Sequence, residues 1–130
     1  MKRTFHKGTW QQKRAFSPAV VTEGGRIVWV AGHTGQTDDD GKSLDGDFDA
    51  QVRQAFRNIE RTLAKAGAGL KDIVTMTVFV KDPRHSTRFT ELRTEIFGDD
   101  FPASALITVF GFAQPEMMLE IQSVAVVAEG

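Results

Sequence analysis

The chain has 130 residues, of which 41% are hydrophobic and 25% charged, and this composition is ordinary for one globular domain spanning residues 1–130. It has no cysteine, which excludes a disulfide framework, a thiolate nucleophile and a thiolate metal site. The formal net charge of −1 gives no general electrostatic attraction to nucleic acid, so no specific nucleic-acid partner is expected.

Targeting and membrane signals are missing from the amino-acid pattern. The first residues, MKRTFHKGTWQQKR, lack the apolar core of a signal peptide. No apolar run approaches the length that a membrane-spanning segment needs. We therefore expect a cytoplasmic protein without a membrane partner.

Short runs punctuated by glycine and proline predict strands in the first part of the chain. Residues 2–8 are expected to form a short edge strand. A further strand begins after the bend at Pro18, and the turn at residues 23–25 joins it to a strand at residues 26–31. Residues 19–31 are therefore expected to form a hairpin.

The hydrophobic period changes to that of a helix at residues 47–66. Asp47 is the expected N-cap of this helix and Gly67 its C-terminal stop. Residues 70–81 are rich in β-branched side chains and predict a strand. A second amphipathic helix is expected at residues 84–97.

The acidic stretch at residues 36–47 resembles two ligand-binding motifs but satisfies neither. It contains Gly-Lys-Ser, yet five residues separate Gly35 from Gly41 where a phosphate-binding loop has four. Its aspartates lack the bidentate Glu and the spacing of a calcium-binding EF-hand. The histidines also lack metal-ligand spacing: His6, His33 and His85. We expect a solvated loop, with no metal and no cofactor.

Two strand-like runs close the chain, at residues 105–110 and 117–128. The Gly and Pro residues between them, at 111–115, favour an antiparallel hairpin. Glu120 lies within the second run, on the same face as Gln122. It is either an exposed carboxylate on the wet face of a half-buried sheet or an acid/base in a cleft.

The order of predicted elements is hairpin, helix, strand, helix, hairpin. This order predicts an α+β fold, with a mixed, mainly antiparallel sheet and both helices on one face. Residues 28–31 and 124–127 are apolar on both faces of their strands. The second sheet face is therefore expected to be buried against another copy of the chain.

The motifs SPAV, RIVWVAG, NIERTLAKAGAGLKDIV, TVFVKD, FPAS and LEIQSVA follow one another in this order. Together they resemble the Rid family of reactive-intermediate (imine) deaminases, also called YjgF-like or endoribonuclease L-PSP-like proteins. The resemblance covers nearly the whole chain. It implies a chorismate-mutase-like (YjgF-type) fold and a homotrimer with small-molecule clefts between subunits.

The resemblance also assigns site residues. In the deaminating members, an Arg after the Pro-Ala of the FPA segment clamps the substrate carboxylate, and a Glu in the last strand activates the hydrolytic water. Glu120 matches that Glu, whereas Ser104 occupies the Arg position. The family's Tyr, Ser and Asn positions hold Phe16, Ala31 and Thr90. The other expected substrate-binding residues are Gly32, His33, Arg93 and Leu106.

Loss of the bidentate clamp removes roughly 2–4 kcal/mol of binding energy, which would make the usual 2-imino acids poor substrates. Arg93, Arg14 or His33 could replace it, or each could be an ordinary surface or turn residue. Three functions stay open: hydrolysis of another small imine, enamine or related carbonyl-derived compound by Glu120, silent small-molecule binding or regulation, and a chaperone-like interaction. Specific RNA cleavage is not expected.

Overall fold

The computed structural model describes residues 1–129, and it confirms an α+β architecture with mixed sheets. The strands are β1 Lys2–His6, β2 Ala19–Glu23, β3 Arg26–His33, β4 Ile73–Val80, β5 Ala103–Thr108 and β6 Leu119–Val127. The helices are α1 Trp10–Lys13, α2 Phe48–Lys65 and α3 Ser86–Phe97, with 3-10 turns at Leu70–Asp72 and Pro83–His85. None of these helices is long and apolar enough to cross a bilayer.

The main sheet has the strand order β3-β6-β4-β5, and this order corrects the predicted C-terminal hairpin. β6 pairs antiparallel with β3 and with β4, whereas β5 pairs parallel with β4. The runs predicted at 105–110 and 117–128 are both strands, but β4 lies between them. The connection at residues 109–118 is long enough to pass over β4, and Lys81 Nζ donates to the Pro115 carbonyl along it (2.9 Å).

The predicted hairpin at residues 19–31 is also wrong. β2 pairs antiparallel with β1 in a separate two-stranded sheet, and β3 pairs with β6. Gly24 and Gly25 have φ angles of +75° and +88°. A β-carbon on Gly25 would lie 2.7 Å from the Val127 carbonyl oxygen, so the turn packs against the end of β6.

The two long helices pack on one face of the main sheet, as predicted. Asp47 caps α2, because its carboxylate accepts a hydrogen bond from the Ala50 amide (3.0 Å). Phe56 of α2 stacks on Phe89 of α3 at 6.2 Å between ring centroids, which joins the helices. The core between helices and sheet is formed chiefly by Val52, Ile59, Leu63, Met76, Val78, Leu92, Leu119 and Ile121.

The opposite face of the main sheet, which we call the open face, carries no helix formed by residues 1–129. Trp29 and Ile27 project from β3 on this face and are 76% and 56% exposed. Their neighbour Val30 points the other way and is 4% exposed. Glu120 of β6 lies on the same open face as Trp29, because the paired strands keep the alternation of the pleat.

Candidate functional site

A cleft of about 510 Å³ opens at the edge of β5, between this strand, α3 and the segment after α1. Its walls bring together five of the residues expected in the site: Phe16, Thr90, Arg93, Ser104 and Leu106. Trp10, which the sequence did not assign to the site, and Arg14, which it left as an alternative, also line the cleft, together with Pro83, Ser86 and Ala105. We call this the β5 cleft.

Arg93 is the unusual group of the β5 cleft. Its side chain is 2% exposed, and its Nη1 donates to the Ser104 hydroxyl at 2.7 Å. Nη2 donates to the Arg14 carbonyl at 3.3 Å, and Nε is buried without a partner among residues 1–129. Burial, followed by the nearby charge of Arg14, lowers the pKa of Arg93 to about 10, so the guanidinium is still a cation at neutral pH.

Helix α3 presents Thr90 and Arg93 to the β5 cleft because they are one turn apart on one helical face. The Thr90 hydroxyl donates to the Ser86 carbonyl at 3.1 Å, so its proton is not available to a ligand. Leu92 and Phe89 anchor the helix in the core, both 0% exposed. The helix is therefore fixed, and Arg93 with it.

The segment after α1 forms the other wall, and its backbone is strained. Ala15 is fully buried at φ 63°, a left-handed conformation that non-glycine residues rarely adopt. Ser17 fastens the segment to the start of β5: its hydroxyl donates to the Phe101 carbonyl at 2.6 Å and its amide to the Pro102 carbonyl at 3.0 Å. Strain of this kind persists where the surroundings fix the backbone, often at ligand sites.

Trp10 and Phe16 form the aromatic part of the cleft. Their ring centroids are 5.6 Å apart in an edge-to-face arrangement, and Trp10 is 61% exposed. Sequence analysis missed Trp10 because α1 has only four residues and gives no periodic signal. Its role becomes visible only once the fold sets it beside Phe16.

Glu120 stands in a second, smaller cavity of about 210 Å³, with Phe79 and Phe112 among its walls. Its carboxylate lies against Gly32, where an added β-carbon would overlap Oε2. Within the described chain, the Glu120 carboxylate accepts no hydrogen bond and forms no ion pair. A half-buried carboxylate without a partner is available for proton transfer.

A single chain does not bring Glu120 and Ser104 together. Ser104 is paired with Met76, which is buried on the helix face, while Glu120 is paired with Phe79. Met76 and Phe79 are three residues apart on one strand, so they point to opposite faces. The predicted site is thus split between the β5 cleft and the open face.

The two remaining predicted residues lie at the end of β3. Ala31 is exposed and lines a hollow of about 500 Å³ on the open face, beside Trp29 and Gln122. His33 is held at both ring nitrogens, Nδ1 by the Ala31 carbonyl (2.7 Å) and Nε2 by the Thr62 hydroxyl (2.8 Å). His33 therefore ties β3 to α2, and it does not line the β5 cleft.

The chain is similar to known proteins over most of its length. Residues 10–127 match the family described as endoribonuclease L-PSP. A RutC family protein of Pyrococcus abyssi is 30% identical over 101 residues, which covers 78% of this chain and 79% of that protein. A protein of Acinetobacter baylyi named 3-aminoacrylate deaminase RutC is 30% identical over 119 residues, which covers 92% of each chain.

Solved structures are similar over the same length. A Rid family protein of unknown function from Yersinia pestis, YyfB, superposes with a TM-score of 0.84 at 26% identity, covering 98% of this chain and all of the other. A member of the YjgF/YER057c/UK114 family from Mycobacterium tuberculosis is 32% identical, with a TM-score of 0.68 and coverage of 97% and 100%.

Proposed function

Because the chain belongs to the endoribonuclease L-PSP family, the Rid or YjgF proteins, we propose that it hydrolyses a small imine, enamine or related carbonyl-derived metabolite. The observation that carries this proposal is Glu120, a carboxylate without a partner in residues 1–129, set against Gly32 in a small cavity. The relative named 3-aminoacrylate deaminase supports the class of reaction at the level of the family.

The proposed chemistry needs only one acid/base group. Glu120 accepts a proton from a water molecule, whose oxygen attacks the carbon of the C=N bond. The protonated Glu120 returns the proton to nitrogen, which gives the tetrahedral carbinolamine. Glu120 then takes the hydroxyl proton of the carbinolamine and passes it to the amine, and the C–N bond breaks to give a carbonyl compound and ammonia. An enamine enters this sequence after tautomerisation, in which its carbon gains a proton and its nitrogen loses one to give the imine. General acid/base help of this kind contributes about 10²–10⁴-fold.

We propose that the working site lies between copies of the chain in a homotrimer. Glu120 and the β5 cleft face different sides of one chain's sheet, so a second copy would have to complete each cleft. The open face supports the same assembly, because Trp29 and Ile27 are large apolar side chains exposed on it. We expect this assembly to be cytoplasmic.

The preferred substrate of the proposed reaction differs from the usual 2-imino acids. No guanidinium extends from β5, since position 104 is a serine, and the charge of Arg93 lies behind it at hydrogen-bond distance from the Ser104 hydroxyl. A carboxylate would have to reach deeper into the cleft to meet this charge. An acid with a longer distance between its carboxylate and its C=N carbon fits that geometry better.

A ligand-binding protein without turnover is the second candidate, and the buried, fully positioned Arg93 favours it independently of Glu120. Cleavage of RNA is not proposed, despite the family's name. The net charge is −1, and the acidic loop at residues 36–47 would repel phosphates.

The test is release of ammonia from imines generated in situ by an amino-acid oxidase, with semicarbazide as a competing trap, and from an enamine acid. Glu120→Gln should lower the rate by about 10²–10⁴-fold. Glu60→Gln is the control, because Glu60 is exposed on α2, away from both cavities. Full activity in Glu120→Gln would refute the proposed mechanism, and an inactive wild type on every compound would favour the silent binder.

A further inference from the structure

We propose that the β5 cleft binds a carboxylate with a planar, apolar body. In this arrangement Arg93 and Arg14 hold the carboxylate, and Trp10 and Phe16 contact the body. The inference names the ligand class of the site and rests on the proposed function only for the statement that the ligand is also the substrate.

The first support is a buried charge whose one aromatic contact, with the Phe89 ring at 5.0 Å, supplies no counter-ion. The residues that line the β5 cleft include no Asp or Glu, and Arg93 forms no ion pair within residues 1–129. Two of its five N–H groups are donated, to Ser104 and to the Arg14 carbonyl, while its Nε is buried without a partner. A buried cation without a counter-ion is costly, and a bound carboxylate would offset this cost through charge-assisted hydrogen bonds.

Arg14 supplies a second cation at the same place. Its side chain lines the cleft and makes no hydrogen bond or ion pair with any described residue. Most other arginines pair with a carboxylate of the chain: Arg3, Arg53, Arg57, Arg61, Arg84 and Arg88. Two guanidinium groups without an acidic partner, close enough for Arg14 to lower the pKa of Arg93, converge where residues 1–129 place no Asp or Glu side chain.

The aromatic wall defines the rest of the ligand. Trp10 stands edge-on to Phe16 and is 61% exposed, although exposure of a tryptophan side chain to water is unfavourable compared with its burial. A planar apolar group could cover the exposed indole face while its carboxylate reaches Arg93. The volume of about 510 Å³ is within the range of small-molecule sites and exceeds the need of a two- or three-carbon acid.

The Ser104 hydroxyl and the Arg14 carbonyl orient the Arg93 guanidinium before any ligand arrives. The Ser104 hydroxyl accepts from Nη1, and the left-handed backbone at Ala15 follows the Arg14 carbonyl that accepts from Nη2. The Ser104 hydroxyl and the Arg14 carbonyl are positioning groups, because they accept from Arg93 and need not touch the ligand. A preset donor fork loses less entropy when it binds a carboxylate.

Calorimetric titration with four probes tests the inference: 3-phenylpropanoate, its neutral amide 3-phenylpropanamide, propanoate and propanamide. All titrations use the full-length Glu120→Gln protein, so that turnover cannot interfere. The phenyl acid should bind about 10- to 100-fold more tightly than its amide, as expected for charge-assisted hydrogen bonds. It should also bind more tightly than propanoate, and its binding should alter the fluorescence of Trp10 in a Trp29→Phe background.

Arg93→Gln should remove the preference for acid over amide, and Arg93→Lys should restore only part of it, because an ammonium lacks the planar fork. Arg14→Gln should reduce the preference, and Ser104→Ala should weaken acid binding several-fold while leaving amide binding unchanged. Arg88→Gln is the matched control on the same helix, since Arg88 points to Asp49. If Arg93→Gln does not fold, Arg14→Gln and Ser104→Ala decide the question.

The inference is overturned if the phenyl acid shows no binding at millimolar concentration, if acid and amide bind equally, or if both Arg variants keep the preference. Its failure can be told from failure of the proposed function. Acid binding that depends on Arg93, in a wild type that turns over no compound, supports the inference and rejects the hydrolysis. Turnover of compounds whose acid and amide forms bind equally well supports the hydrolysis and rejects the inference.

Discussion

At the scale of single residues, Ser104 and Arg93 have to be considered together. Ser104 alone indicates a lost clamp, because a hydroxyl cannot hold a carboxylate as a guanidinium does. In the fold, the Ser104 hydroxyl accepts a hydrogen bond from Arg93, which is 2% exposed and has no acidic partner within residues 1–129. The positive charge is still in the cleft, but it is carried by α3 instead of β5.

Replacement of Arg93 by methionine should therefore leave the ligand-free protein at least as stable as wild type, and up to about 2 kcal/mol more stable. The reason is that a buried charge without an acidic partner in residues 1–129 is exchanged for an unbranched apolar side chain. Urea unfolding measures this, with Leu92→Ala as the control; Leu92 is 0% exposed, and its truncation should cost about 2–5 kcal/mol. A loss from Arg93→Met as large as that of the control would show that Arg93 is structural.

Gly32→Ala should displace the Glu120 carboxylate without unfolding the chain. The added methyl would overlap Oε2, which is the free end of a flexible side chain. We expect the hydrolysis rate to fall about 10²-fold through misplacement, with a stability change below about 1 kcal/mol. Gly69→Ala is the control, because the nearest atom to its β-carbon, Asp72 Oδ2, is 4.0 Å away. Unchanged activity in Gly32→Ala would mean that the position of Glu120 is not critical.

At the scale of elements, the acidic loop at residues 36–47 is fastened to α2 by one carboxylate. Asp39 accepts hydrogen bonds from Gln54 (2.7 Å), Arg57 (2.5 Å) and Arg61. The hydrogen bonds from Arg61 and then Arg57 hold the pKa of Asp39 well below its ordinary value of 3.8. The loop predicted to be solvated is thus exposed but anchored.

Asp39→Asn should release this loop at neutral pH, which hydrogen exchange of residues 36–47 measures. The pH dependence follows from the sign of the shift: a lowered pKa stabilises the anchored loop above about pH 4, and this stabilisation is lost as the pH falls through the lower folded-state value. Wild-type exchange should therefore rise only in strong acid. Asp40→Asn is the control, since that side chain makes no contact of this kind in residues 1–129. Equal exchange in both variants would rule out the anchor.

At the scale of the whole molecule, the main sheet has one face covered by α2 and α3 and one face open. The open face carries Trp29, Ile27 and Glu120, a combination of apolar surface and a carboxylate without a partner in the described chain. An apolar surface of this kind is unfavourable in water and favours association. The proposed homotrimer would cover it.

Trp29→Glu should dissociate that assembly, because it places a charge in the apolar contact. Sedimentation velocity should give trimers for the wild type and monomers for the variant, with unchanged far-ultraviolet circular dichroism. Ala64→Glu adds the same charge at an exposed position of α2, on the other side of the sheet, and should remain trimeric. A wild type that is monomeric at micromolar concentration would contradict the prediction.

The sequence by itself determined the elements whose signal is local. The apolar period predicted both long helices within two residues of their ends, Asp47 was identified as a cap, and the main strand segments were all found. Helices depend on apolar residues three or four positions apart, and strands on apolar residues at every second position. Both patterns are visible in a short window of sequence.

The tertiary structure alone decided which strands became neighbours and which side chains met. Alternation tells which face of a strand is apolar but not which strand lies beside it, so β4 between β5 and β6, and β1 beside β2, could not be predicted. The contact of Arg93 with Ser104 and the pairing of Trp10 with Phe16 likewise join α3 to β5 and α1 to the loop that follows it. Such contacts form only when the chain has folded, because no local pattern of residues encodes the distance between the two side chains.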